Sequence, residues 1–186
     1  MKTEEYDNVS RHMRGGLRMV SKNHLYGFIN EEGEEVIPCQ YDYACSTPYN
    51  MITVKKNGLW GLINNEGEVL IPCRLGYDEM DEFTTDGLCK VKINGHVGFI
   101  DEEGNEVIPC TLDYDEIFNF HDGLAYVERN GLKGFINQQG VEVIPCQYDW
   151  IYPCEFSYDV WFFRDGVCKV EKDGVIKTID MTGKEV

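Results

Sequence analysis

One short pattern recurs along the chain, with about 36 residues between successive copies. The stretch "NGLWGLINNEGEVLIPC" covers residues 57–73, and close versions cover residues 23–39, 94–110 and 130–146. Units with a period of about 20 to 50 residues are too small to bury a core alone, so they stack and share one. The period therefore predicts a tandem array, in which "DGVIKTIDMTGKEV" ends a fifth, weaker unit.

Each unit has the pattern of strands joined by tight turns. It opens with an alternating segment such as "MITV" or "LAYV", which is typical of a half-buried strand. Asn-Gly or Asp-Gly follows in four of the units, and both residues accept the positive φ of a two-residue hairpin turn. The next strand, "GFIN" or "GLIN", leads into a turn that ends in glycine. The third strand is "EVIP" or "EVLIP", and its proline marks a strand end or a sheet edge.

The sequence therefore predicts an all-β fold, built as a tandem array of about five three-stranded antiparallel β-meander repeats. Three strands and about 36 residues are few for a propeller blade, which favours an open β-repeat solenoid over the alternative of a closed, propeller-like ring. The length of 186 residues suits a single domain over residues 1–186. Within it we expect an irregular N-terminal lead at residues 1–13 and an aromatic insertion at residues 150–163.

A glycine inside the second strand recurs in four units. Glycine weakens a strand unless another group packs where a Cβ would be, so we expect a close contact at each of these positions. They are Gly27, Gly61, Gly98 and Gly134. The fifth unit has Lys177 there, and we expect that face to have no following neighbour.

The cysteines and the Tyr-Asp pairs of the repeat are also interpreted as structural. Four thiols follow Ile-Pro in one packing slot, so they are expected to be free and mostly buried. They are Cys39, Cys73, Cys110 and Cys146. The aspartates after tyrosine recur with the period of the fold, which favours bonding to backbone N–H groups of the crossover turn over acid–base catalysis. They are Asp42, Asp78, Asp115 and Asp149.

This order of elements resembles the bacterial WG-repeat family, which is named for the pair present here as Trp60-Gly61. The resemblance covers residues 14 to 186, and other units have Tyr26, Val97 and Lys133 at the tryptophan position. It implies a β-repeat scaffold without a general catalytic activity. No cofactor is implied.

Charge and composition narrow the classes of partner. The formal net charge of −16 repels phosphate backbones and anionic headgroups, so direct binding to nucleic acid or to a membrane is not expected. The polar start "MKTEEYDNVS" is unlike a secretory signal, and a cytoplasmic protein is expected. The histidines lie at non-equivalent repeat positions without a metal-ligand spacing, so no metal site is predicted.

The largest break in the repeat lies between Tyr148 and Gly166, where the extra segment is rich in aromatic residues. An exposed aromatic cluster usually marks an interaction site, whereas a buried one would cap the final unit of the array. Both alternatives stay open here. The candidate partner-binding residues are Trp150, Tyr152, Phe156, Tyr158, Trp161, Phe162 and Phe163.

Three classes of function follow from these observations. A non-catalytic repeat scaffold that mediates protein–protein interaction is favoured, because the repeats display variable turns and contain no catalytic motif. The alternative is an acidic inhibitor or nucleic-acid mimic that blocks a basic site on a partner protein. An enzyme would require side chains brought together only by folding.

Overall fold

The computed structural model describes residues 5–46, 50–84, 86–156 and 160–186. The regular secondary structure in these ranges consists of β-strands. No helix in the described residues is long and apolar enough to cross a membrane. The strands follow one another as antiparallel meanders, as the alternating segments and hairpin turns predict. The all-β tandem array predicted from the repeat is confirmed.

The first four sheets have four strands each, in chain order. The first sheet contains β1 (Asn8–Arg14), β2 (Leu17–Lys22), β3 (Leu25–Ile29) and β4 (Glu35–Tyr41). The second contains β5 (Tyr43–Ser46), β6 (Met51–Lys56), β7 (Leu59–Asn64) and β8 (Val69–Leu75). The third contains β9 (Glu79–Phe83), β10 (Cys89–Ile93), β11 (His96–Ile100) and β12 (Glu106–Ile108). The fourth contains β13 (Glu116–His121), β14 (Leu124–Arg129), β15 (Leu132–Asn137) and β16 (Glu142–Tyr148).

The fifth sheet is smaller and carries the insertion. It begins with β17 (Trp150–Tyr152), after which β18 (Glu155–Phe156) and β19 (Val160–Trp161) form a separate two-stranded hairpin. It is completed by β20 (Val167–Lys172) and β21 (Val175–Asp180), in the order β17-β20-β21. A single bridge between Ile179 and Glu185 takes the place that a fourth strand has in the other sheets.

The repeat predicted from the sequence has three strands, whereas each of the first four sheets has four. The residues after each Tyr-Asp pair, expected in a connection, form the first strand of the next sheet, as β5 does where Tyr43–Ser46 pairs with β6. The same holds at the N-terminus, where residues 8–14 form β1 although an irregular lead was expected at residues 1–13. Tyr6-Asp7 is a further copy of the Tyr-Asp pair, and it directly precedes this strand as the other pairs precede the first strands of their sheets.

The strands group into two compact units, with a boundary that runs through the third sheet. The first unit extends to Phe83 and includes Cys89–Asn94 and Ile100–Asn105, whereas the second contains Thr84–Leu88, Gly95–Phe99 and Glu106–Val186. Each unit has its own buried clusters. That of the first unit is built from Leu17, Phe28, Ile37, Tyr41, Ala44, Ile52, Val54 and Ile63. Burial of each large apolar side chain contributes about 1.5 to 3 kcal/mol to the stability of its unit.

The hairpin turns adopt the backbone that their residues predict. Asn57 and Gly58 have φ of 53° and 79°, and Asp173 and Gly174 have φ of 52° and 74°. Positive φ at both central residues is the mark of a type I′ turn, whose twist matches that of the flanking strands.

Candidate functional site

The recurring aspartates fix the hairpin turns, in agreement with the structural role predicted for them. The Oδ2 atom of Asp78 accepts a hydrogen bond from the backbone N–H of Asn94 at 2.7 Å, and Asp149 accepts one from Asp173 at 2.7 Å. The contact lies at the next hairpin turn along the chain, whereas the sequence placed it in the crossover. These carboxylates are therefore committed to the fold.

The close contact predicted at the recurring glycines is confirmed. A Cβ at Gly61 would lie 2.7 Å from the carbonyl oxygen of Ile71 and 2.9 Å from the backbone nitrogen of Cys73. The cause is a bulge: Leu62 pairs with Ile71 but Trp60 pairs with Leu75, so β8 has two extra residues that fold over the glycine. The proline of "IPC" lies within this bulge on an edge strand, except in β12, which ends before it.

None of the eight cysteines forms a disulfide bond, but the four that follow Ile-Pro are half-buried, whereas the sequence suggested mostly buried thiols. The Sγ atoms of Cys73 and Cys110 lie beside the recurring glycine, and Cys73 and Cys146 pack against the edges of buried clusters. Burial raises the pKa of the Cys39, Cys73 and Cys146 thiols, which keeps them protonated and weakly nucleophilic at neutral pH. Among the described residues, no group of three or more His, Cys, Asp or Glu side chains is placed to hold a metal ion.

The two phenylalanines at the end of the insertion pack into the second unit. Phe162 stacks on Tyr126 with ring centroids 4.9 Å apart and an interplanar angle of 10°, and Phe163 meets Phe135 edge-on at 5.1 Å. Both side chains are half-buried against the cluster that contains Phe135 and Ile144. This is the packing that the capping alternative expects of these two residues.

Trp150 has a different environment. It lies on β17 with 49% of its surface exposed, and the Nζ atom of Lys133 is 5.8 Å from the centroid of its ring. Nearby, Tyr152 donates a hydrogen bond from its hydroxyl to Glu171, which raises the pKa of that phenol. Among the side chains of the insertion that the structure describes, Trp150 is thus the exposed aromatic one, and it lies beside a polar pair.

For two of the remaining candidates of the insertion, the structure describes only the backbone. The backbones of Phe156 and Trp161 belong to β18 and β19, where Phe156 pairs with Val160 and Glu155 pairs with Trp161. Tyr158 lies outside the described residues. The role of these three residues in partner binding stays a prediction.

A polar connection on the second unit joins Trp150 to the aromatic cluster, and the sequence interpretation missed it. Lys133 forms a half-buried ion pair with Glu128 at 3.7 Å, and Glu128 accepts a hydrogen bond from the Tyr126 hydroxyl at 3.2 Å. Burial, followed by the charge of Glu128, raises the pKa of Tyr126, so its hydroxyl stays a donor at all physiological pH values. The signal for this connection was Lys133 itself, which stands where the repeat has tryptophan.

Solved structures share the fold at low sequence identity. The chain is similar to Kluyveromyces lactis Hsv2, with a TM-score of 0.50 and 10% identity, and the match covers 92% of this chain and 58% of that one. It is also similar to a crystal structure described as the eukaryotic initiation factor, with a TM-score of 0.50, 11% identity and coverage of 97% and 54%. The chain therefore spans little more than half the length of these relatives, and the likeness concerns the fold alone. A comparison with curated protein sequences found no match.

The repeat itself identifies the family. The family described as "WG containing repeat" matches four consecutive segments, residues 26–60, 60–95, 98–132 and 134–175. These segments cover most of the chain and follow the period of the glycine that receives the bulged strand. The chain therefore belongs to the WG-repeat family.

Proposed function

We propose that the protein is a non-catalytic scaffold that binds another protein through its second unit, with Trp150 as the central contact. The observation that carries the proposal is the exposure of Trp150, at 49%, within an insertion whose Phe162 and Phe163 are half-buried against the core. Tryptophan supplies a large contact area, and interface energy is often concentrated in a few such residues.

The surroundings of Trp150 have the composition of an interface rim. Lys133, which approaches the Trp150 ring, forms an ion pair with Glu128, and Glu171, which pairs with Trp150 across β17 and β20, accepts a hydrogen bond from Tyr152. Polar groups that already satisfy one another add little affinity, but they exclude water from a central aromatic contact. A protein partner with an apolar recess bordered by polar groups would fit this surface.

The test is capture from an extract of the native cell on immobilised protein, at low and at high salt. We expect a partner that stays bound at high salt to the wild-type protein and is lost with Trp150→Ala. The variant should keep the circular dichroism and melting temperature of the wild type, because Trp150 is half exposed. Capture that is unchanged in a folded Trp150→Ala variant would refute the proposal.

The acidic inhibitor or nucleic-acid mimic is a second candidate, favoured by the exposed turns of the first unit. Glutamates project to solvent at the turn between the third and fourth strands of successive sheets. They include Glu31, Glu32, Glu34, Glu66, Glu68, Glu102 and Glu103. Binding through these charges should weaken steeply as salt screens them, so a partner released between the two salt concentrations supports this candidate.

We further propose that the protein works in the cytoplasm, without direct contact with nucleic acid or a membrane. Eight cysteines without a disulfide bond support a reducing compartment, since disulfides are common outside it. The net charge of −16 supports a partner that is neither a nucleic acid nor an anionic membrane.

A further inference from the structure

A row of three side chains crosses the fifth sheet at Trp150. Trp150 on β17 pairs with Glu171 on β20, and Glu171 pairs with Ile176 on β21. Residues directly opposite each other in antiparallel strands lie on one face of the sheet, with Cβ atoms about 4.5 to 5.5 Å apart. Trp150 is 49% exposed and Ile176 is 59% exposed, so the row presents two apolar side chains with a carboxylate between them.

The fourth sheet has charged residues at all three positions of this row. Glu116 pairs with Glu128, and Glu128 pairs with Lys133, whose ammonium lies 3.7 Å from the Glu128 carboxylate. The fifth sheet keeps the central glutamate, but an isoleucine stands where the fourth sheet has the lysine. Glu171 therefore lacks the cation that its counterpart has on the neighbouring strand.

Two lysines lie close to the row, and neither compensates the charge of Glu171. Lys133 is paired with Glu128. Lys169 lies two residues before Glu171 on the same face of β20, where it is exposed and forms no ion pair with this glutamate. The hydrogen bond that Glu171 accepts from Tyr152 comes from a neutral hydroxyl and leaves the charge in place. Within the described residues, the row thus offers a carboxylate without a cation.

Arginine is the cation that suits such a row. Its guanidinium is planar and more weakly hydrated than an ammonium, and it can stack on an indole while its N–H groups bond to a carboxylate. The equivalent row of the second sheet already pairs a cation with an indole. There Lys55 lies opposite Trp60, and its Nζ atom is 4.5 Å from the centroid of the ring.

We propose that the partner covers this row with an arginine that bonds to Glu171, flanked by apolar side chains that cover Trp150 and Ile176. The inference rests on the proposed function, because it names the chemistry of the protein that binds Trp150. A net charge of −16 also favours a cation on the partner side of the contact. The apolar groups on either side exclude water from the ion pair, which strengthens it and reduces its screening by salt.

A direct test uses a blocked pentapeptide, acetyl-Leu-Ser-Arg-Ser-Leu-amide, as the probe. In an extended peptide its two leucines and its arginine lie on one face. The counterpart has citrulline in place of arginine, which keeps the shape and removes the charge. Each peptide is titrated into ¹⁵N-labelled protein, and the amide resonances are followed.

We expect saturable shifts at residues 149–151, 170–172 and 175–177 with the arginine peptide, and binding of the citrulline peptide that is about fivefold weaker. Equal affinities of the two peptides, or no shifts with either, would overturn the proposal.

A first variant closes the row from within. Ile176→Lys restores the pair that Lys133 and Glu128 form in the fourth sheet, so it should weaken binding of the arginine peptide about tenfold. The matched control is Val175→Lys, which adds the same charge at the preceding residue of β21, on the other face and 54% exposed. It should leave the affinity within about twofold. Equal weakening by the two variants would show a general charge effect and refute the site.

A second variant removes only the charge. Glu171→Gln keeps an oxygen that can accept the hydrogen bond from Tyr152, and it should abolish the preference for the arginine peptide over the citrulline peptide. The control is Asp173→Asn, which removes one charge at the adjacent hairpin turn, where three other repeats have asparagine, and which should keep the preference. A preference that survives in Glu171→Gln would contradict the proposed contact.

The peptide and the partner give separate results. Trp150-dependent capture that is unaffected by Ile176→Lys and Glu171→Gln removes the arginine contact and leaves the proposed function intact. Charge-selective peptide binding without any Trp150-dependent capture overturns the proposed function, and with it the partner as the source of the arginine.

Discussion

The second and fifth sheets place the same kinds of residue in opposite environments. In the second sheet, Trp60 is 7% exposed, donates its Nε1–H to the carbonyl oxygen of Tyr77 at 3.0 Å, and contacts Tyr43 and Lys55. In the fifth sheet, Ile176 stands at that repeat position and is 59% exposed, and Trp150 is exposed as well. A tryptophan of the repeat position is therefore part of the fold, whereas a tryptophan that follows a Tyr-Asp pair is available at the surface.

The next residue along the chain also differs between the two sheets, since it is a glycine in the second and a lysine in the fifth. Gly61 lies under the bulged backbone of β8, whereas Lys177 forms an exposed ion pair with Glu185 at 2.7 Å. Where a following strand crosses, only glycine fits. At the equivalent position of the fifth sheet, a long charged side chain is accommodated.

The largest effect should come from exchanging tryptophan for alanine at the two sites. Trp60→Ala removes a buried ring and a satisfied N–H, so we expect the free energy of unfolding to fall by about 3 to 5 kcal/mol. Trp150→Ala removes a half-exposed ring and should cost less than about 1 kcal/mol. Denaturant unfolding followed by circular dichroism measures both values, and similar losses at the two sites would erase the distinction between them.

A smaller effect should separate the two residues at the glycine position. Gly61→Val forces a Cβ against the Ile71 carbonyl and should cost about 3 kcal/mol, at the upper end of the usual range for overpacking. Lys177→Val loses only an exposed ion pair and should melt within error of the wild type. Thermal melts of the two variants compare them directly. A Gly61→Val variant that melts with the wild type would contradict the close-contact account.

The smallest effect concerns pH, at a turn that both sheets share. A side-chain hydrogen bond from Thr182 and a backbone hydrogen bond from Lys184 lower the pKa of Asp180, whereas the second sheet has Asn64 at this position. A lowered folded pKa stabilises the protein above the unfolded value of about 3.9, and this contribution is lost as pH falls through the folded pKa. Asp180→Asn should therefore be slightly less stable than the wild type at pH 7, with a flatter decline in stability below about pH 4. Parallel declines in the two proteins would show that Asp180 contributes nothing to acid stability.

The local features of the fold could be predicted from the sequence, because turn chemistry acts over a few residues. Asn-Gly pairs predicted the hairpins, and the recurrence of glycine at one repeat position predicted the close contact at Gly61. The fourth strand was missed because a segment as short as Tyr43–Ser46 has no clear alternation of its own and is defined by pairing with β6.

The candidate site was predicted less completely, because its contacts join residues that are far apart along the chain. The sequence places Phe162 and Phe163 in the same aromatic insertion as Trp150. Only their contacts with Tyr126 and Phe135 show that they are half-buried against the core. The contacts of Lys133 with Glu128 and with the Trp150 ring were also missed, although Lys133 departs visibly from the repeat.

The most direct test of the account is the affinity of a captured partner for three proteins: wild type, Trp150→Ala and Tyr43→Ala. Tyr43 is the matched control, because it also follows a Tyr-Asp pair directly and is 44% exposed. The account predicts that Trp150→Ala weakens binding about thirtyfold, which corresponds to about 2 kcal/mol for a central aromatic contact, and that Tyr43→Ala changes it less than threefold. Equal affinities of all three proteins, or a larger loss with Tyr43→Ala, would contradict it.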